Sequence, residues 1–153
     1  MTQEDKQLLI VDLCTRLSYN LIVDRLGVPR KVLAINPYNN KESLLLDRGE
    51  YMSAWCRIDD VKPYLRPMSS ITDEEIRELK KLCSIYIPAV PPNIMFEDYG
   101  ILVLTHHLTN DSYSFKLNMK SIDWLNAHYF DYRGLIEKGL AIAVNKNNNP
   151  YIN

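Results

Sequence analysis

Glycine is scarce, at five residues in a chain of 153. Neither G-x-G-x-x-G nor a Walker loop is present, which disfavours the dinucleotide and nucleotide chemistry built on those motifs. Positive charge is not in excess either. Formal net charge is -1, and bases and acids are interspersed along the chain. A sequence-independent nucleic-acid binder normally carries a basic excess or stripe, so nucleic acid is not a favoured partner. Cysteine is sparse and odd in number: Cys14, Cys56 and Cys83 lie far apart, with no short spacing of a zinc or redox motif. They are expected to be reduced and buried. Long apolar runs are missing too; none approaches the ~20 residues of a membrane span. The N-terminal "MTQEDKQLLIVDLC" begins acidic and lacks the features of a signal peptide. A cytoplasmic protein with no membrane partner is expected.

What is present fits one globular domain. A chain of this length buries roughly 70% of its unfolded surface and needs no disulfide or metal to hold a core. Thr2 is placed to cap a first helix, with Glu4 and Asp5 at its positive end. Ile10, Leu13, Cys14 and Leu17 recur at helical spacing and predict its apolar stripe. From residue 20 to 58, short runs rich in Val, Ile, Leu and aromatics alternate with "GVPR", "PYNNK" and "RGE". The connections are too short for parallel crossovers, so three or four strands of an antiparallel meander are expected. "DDVKPYLRPMSS" reads as a connector. "SITDEEIRELKKLCSIY" is the strongest helix, with a Thr72–Glu75 capping box, acids first and lysines last. "IPAVPPN" is stiff and extended; "IMFEDYGILVLTHHL" is a strand pair or a bent strand, turning at Asp98 to Gly100. "DSYSFKLNM" alternates as a half-buried strand does. Ser121 is the expected N-cap of a short C-terminal helix, and "LAIAV" the expected terminal strand. The fold class is therefore α+β: an antiparallel sheet of short strands with an N-terminal helix, a central helix and a short C-terminal helix. Residues 1–145 form the domain, and 146–153 a polar tail that frays.

Chemistry is thinly marked. His106 and His107 are adjacent, so in a strand they face opposite sides and would not readily share a metal with His128. No metal site and no cofactor are expected. Asp59–Asp60 and Glu97–Asp98 are carboxylate pairs at turns, where acids commonly cap or solvate. His128 and Asp131 offer a base and an acid to a hydrolase, but no serine or cysteine sits in a nucleophile elbow.

The stretch "DWLNAHYFDYRGLIEKGLA", residues 123–141, is the most distinctive. Trp124 and His128 fall at i and i+4 of a helix, Gly134 suits a turn, and the aromatics read first as a packing corner. The competing reading is an exposed recognition patch of Trp124, His128, Tyr132 and Arg133, residue types that carry binding hot spots. The stretch, together with "EDKQLLIVDLCTRL" and "VKPYLRPMSSITDEEIRELKKLC", resembles a family of small proteins from gut bacteria of the Bacteroides group and their phages or prophages. That resemblance implies a cytoplasmic protein of a mobile element or its host. It brings no activity, cofactor or site residue with it.

The functional expectation is a non-enzymatic, protein-binding accessory factor, encoded by a phage or prophage. Second is a nucleic-acid-associated regulator using a folded basic face of Arg25, Arg30, Lys31 and Arg48. Third is a small hydrolase using His128 and Asp131.

Overall fold

The computed structural model describes residues 1–36, 44–49, 52–83, 85–88, 101–105 and 112–152. Along the chain come α1 (Gln3–Arg16), β1 (Ile22–Arg25), β2 (Val28–Ile35), β3 (Leu44–Gly49), β4 (Met52–Cys56) and β5 (Lys62–Leu65). They are followed by α2 (Asp73–Leu82), β6 (Ile85–Pro88), β7 (Ile101–Thr105), β8 (Ser112–Lys116), α3 (Met119–Ala127) and β9 (Ile142–Ala143). The chain divides into two compact units, Met1–Arg66 with Arg133–Asn153, and Pro67–Tyr132. The architecture is α+β.

The first unit is a six-stranded sheet in the order β4-β3-β2-β1-β5-β9. Strands β1 to β4 are the predicted meander, each pairing antiparallel with the next. The β5–β9 pair is parallel, which the antiparallel expectation did not include. A parallel neighbour needs a long crossover, and the whole second unit supplies it. The "KPYL" segment, read as part of a connector, is strand β5, paired with β1. Pro63, Tyr64 and Leu65 are buried there, and burial overrides the local proline signal. Leu9 and Leu13 of α1 pack on Val23, Val32, Leu44, Leu46 and Leu65 to form the core.

Helix α1 begins as predicted: Thr2 accepts from the Asp5 N–H at 3.1 Å, and Asp5 returns the bond at 3.2 Å. Its buried face is not the predicted one. Leu9, Asp12, Leu13 and Arg16 are buried, whereas Ile10 and Leu17 are half-buried and Cys14 is exposed. An Asp–Arg pair takes two core positions, and an apolar-only pattern cannot register that.

The C-terminal segment also differs from a fraying tail. Asn148 donates to the Ala143 carbonyl, and the Tyr151 hydroxyl lies 3.0 Å from the Tyr64 carbonyl oxygen and 3.3 Å from that of Ile22. One hydroxyl thus ties the chain end to β1 and β5.

The second unit holds a three-stranded sheet in the order β6-β8-β7, with α2 and α3. The alternating segment "SYSFK" is β8, the central strand of the three. Helix α2 carries the predicted capping box, with Thr72 and Glu75 exchanging bonds. Helix α3 starts earlier than predicted: Asn118 is the N-cap and Ser121 its capping-box partner. The Asn118 amide also donates to the Leu82 carbonyl at 2.7 Å, joining the start of α3 to the end of α2. Ile76, Leu79, Leu125 and Phe130 form this unit's core. The bend at 98–100, the Glu97–Asp98 pair, His106, His107 and Pro91–Pro92 lie outside the described residues. No helix among the described residues is long and apolar enough to cross a membrane.

Candidate functional site

The aromatic stretch forms a corner in the second unit. Trp124 is half-buried on α3 and stacks on His128, ring centroids 4.1 Å apart, and on fully buried Phe130 at 5.7 Å. His128 Nδ1 lies 2.8 Å from the Trp124 carbonyl oxygen. A carbonyl only accepts, so Nδ1 carries the proton. Tyr132 donates through its hydroxyl to Asn126 Oδ1 at 3.1 Å. Tyr129 turns the chain at φ 59°, and Gly134 turns it again at φ 71°. Trp124, His128 and Tyr132 are thus drawn into one corner by ring stacking and by bonds to α3. Arg133 belongs to the first unit and acts elsewhere.

Arg133 completes a buried ionic cluster. Asp12, fully buried on α1, accepts two bonds from Arg16, at 2.8 and 3.0 Å, and one from Arg133 at 2.9 Å. Thr15 also accepts from Arg133, at 3.1 Å. Sequence reasoning passed over this cluster. Its one local signal is the i, i+4 spacing of Asp12 and Arg16, which is common on solvated helix faces.

A second set of arginines behaves differently. Strand register places Arg30 opposite buried Val23, and Arg25 opposite Val28, all on the face that carries the core. Arg48 follows on β3, at the irregularity between Asp47 and Gly49. Arg25, Arg30 and Arg48, with Leu26 and Val28, line an open depression of about 390 Å³. Arg30 Nη1 donates to the Arg48 carbonyl at 3.0 Å. Arg25 Nε is buried with no hydrogen-bond partner. None of the three arginines makes an ion pair among the described residues. Lys31, grouped with them from sequence, pairs with Ile22 and points to the opposite face.

The rim of this depression is a two-residue hairpin. Leu26 and Gly27 both have positive φ, 56° and 80°, as a type I′ turn requires. The left-handed conformation suits Gly27 but costs a leucine roughly 1–2 kcal/mol. Leu26 is nevertheless 87% exposed. Asp24 steadies the turn by accepting from the Gly27 N–H at 3.2 Å and from the Tyr64 hydroxyl at 3.1 Å. Beneath the arginines, burial pushes the Cys56 thiol up; Arg25 and Arg48 oppose that shift, while the Asp60 charge adds to it.

The opposite face of the meander brings two large apolar side chains together. Trp55 is 42% exposed beside its β3 partner Leu45; Leu33, 44% exposed, lies on β2 at the irregularity before Ala34, the residue that pairs with Leu45. Sequence reasoning read Trp55 only as part of a strand, because a period of two does not say which face is covered.

A further depression of about 510 Å³ lies in the second unit between Lys81, Cys83, Asn118, Met119 and Lys120. Burial raises the Cys83 thiol, the wrong direction for an activated nucleophile. Neither depression is lined by His128 or Asp131. No group of three or more His, Cys, Asp or Glu among the described residues could hold a metal. No family model, curated protein or solved structure matches the chain.

Proposed function

We propose that this is a non-enzymatic binding protein whose partner is another protein. The observation that carries the reading is Trp55, exposed on β4 beside its β3 partner Leu45, whose own β2 partner Ala34 is flanked by exposed Leu33. Large apolar side chains grouped on one solvent face mark interaction sites, and tryptophan is the residue type most enriched at their energetic centres. Strand β4 also ends the six-stranded order, so among the described residues one of its edges is unpaired. An extended segment of a partner could pair there while covering the tryptophan. The 124–132 corner supports this reading less well, because its aromatic rings and polar tips are already engaged within the fold. A cytoplasmic setting suits three cysteines that are all free. From the resemblance noted above, the partner is expected among proteins of a bacterial host or its phage.

Affinity capture from native host lysate, with and without nuclease, tests the proposal when run on the native chain and on Trp55→Ala in parallel. The expected result is a stoichiometric, nuclease-resistant protein that Trp55→Ala loses while its thermal midpoint and circular dichroism hold. A partner that vanishes with nuclease, or one captured equally by Trp55→Ala, overturns it.

A further inference from the structure

We propose that Arg25, Arg30 and Arg48 form a binding site for a phosphate-bearing ligand, with Leu26 and Val28 contacting its non-phosphate part. This site lies on the opposite face of the sheet from Trp55 and stands independently of the protein-binding reading.

Three guanidiniums from three adjacent strands line one depression, and no carboxylate pairs with any of them among the described residues. Nearby Asp60 is exposed and forms no ion pair with them. Like charges gathered this way repel, and an arginine that only supports the fold is ordinarily met by an acid. The same unit shows that arrangement at Asp12.

Hydrogen bonding points the same way. Arg25 Nε is a buried donor without an acceptor, which leaves its desolvation uncompensated until an acceptor arrives. Guanidinium groups are planar forks matched to the oxygens of phosphate. A single carboxylate would offset one of the three charges. A phosphate ester or pyrophosphate brings two or more, with enough oxygens for several forks.

Shape completes the case. A volume of about 390 Å³ lies within the range of roughly 300–1,000 Å³ typical of small-ligand sites. The depression is open, so a larger molecule could present only its phosphate. Leu26 is held out at the rim in a costly left-handed conformation, 87% exposed. The two-residue turn fixes that backbone and holds the Leu26 side chain out beside the arginines, where it can meet the non-phosphate part of a ligand. The site needs no glycine loop and no net basic charge, which is why neither absence in the sequence bears against it.

Two sources share this chemistry, a free phosphate compound and the backbone of a nucleic-acid strand. Calorimetric titration of the full chain at low salt, with sodium pyrophosphate and separately with a short oligothymidylate, tells them apart. Binding of both supports a phosphate site open to small ligands. Binding of the oligonucleotide alone, weakening steeply with salt, supports the nucleic-acid source. In either case Arg48→Gln and Arg30→Gln should each weaken binding by about tenfold or more, as expected for losing a charge-assisted fork. Lys31→Gln removes the same charge from the opposite face and should leave affinity unchanged. Amide shifts of the native chain during the pyrophosphate titration should centre on residues 25–30 and 48, a readout that needs no variant. No binding of either probe, or equal losses in Lys31→Gln and Arg48→Gln, overturns the proposal.

Discussion

The first unit gathers arginines twice, to opposite ends. At α1, Arg16 and Arg133 converge on one buried carboxylate, and each guanidinium donates to it at 3.0 Å or less. On the meander, Arg25, Arg30 and Arg48 converge on an open depression that no carboxylate lines among the described residues. The first cluster closes on its own carboxylate and belongs to the interior; its geometry leaves Asp12 little to offer a ligand. The second is incomplete, and its missing component is an anion. The residue type says nothing about which is which. What separates them is whether an acid reached the same place on folding.

The comparison can be broken most decisively at Asp12. Asp12→Ala leaves buried Arg16 without its carboxylate, and removing one member of a buried pair costs about 3–5 kcal/mol. Urea denaturation should show a loss of that size, enough to unfold a domain of ordinary stability. Arg133→Ala should cost less, about 1–2 kcal/mol, because Arg133 is partly exposed and Asp12 keeps both bonds from Arg16. If it costs as much as Asp12→Ala, the two arginines act as one unit.

A third ionic contact calibrates the scale. Asp59 accepts from Lys6 at 2.9 Å and from Arg57 at 3.0 Å, both partly exposed. The bond from Lys6 holds the Asp59 carboxyl below its ordinary range, burial opposes that shift, and Arg57 adds to it. The folded value lies below the unfolded one, so the stabilisation is present above the unfolded value, about 3.9, and is lost as pH falls through the folded value. Exposure to solvent keeps it to about 0.2–1 kcal/mol. Denaturation followed from pH 6 down to about pH 3 should show this loss in the native chain and a shallower one in Lys6→Met. Smallest of all, Arg48→Gln should move stability by no more than about 0.5 kcal/mol in either direction, since Arg48 is exposed and its side chain makes no ion pair among the described residues. A change as large as that of Arg133→Ala would mean the depression is structural after all.

Much of the fold was legible because its signals are local. Thr2 and Thr72 cap their helices through bonds three residues long, the meander is announced by its turn residues, and Trp124 meets His128 because both stand on one helix face. Three of the four basic residues grouped from sequence line one depression, and strand register turns Lys31 away from it. The Ser121 cap was misplaced because Asn118, three residues earlier, caps equally well and also bonds to Leu82 of another helix.

By itself, then, the sequence determined the helices α1 and α2, the meander, the turns at Gly27 and Gly134 and the α+β class, all of which rest on interactions within a few residues. Only the tertiary structure decided the rest. It rotated the buried face of α1 onto Asp12 and Arg16, because Arg133 arrives from 121 residues away. It turned "KPYL" into a strand, because β1 and β9 both pair with it. It also brought three arginines to one depression that no acid lines among the described residues. Each of these depends on which distant segment comes to lie alongside, and no local propensity carries that information.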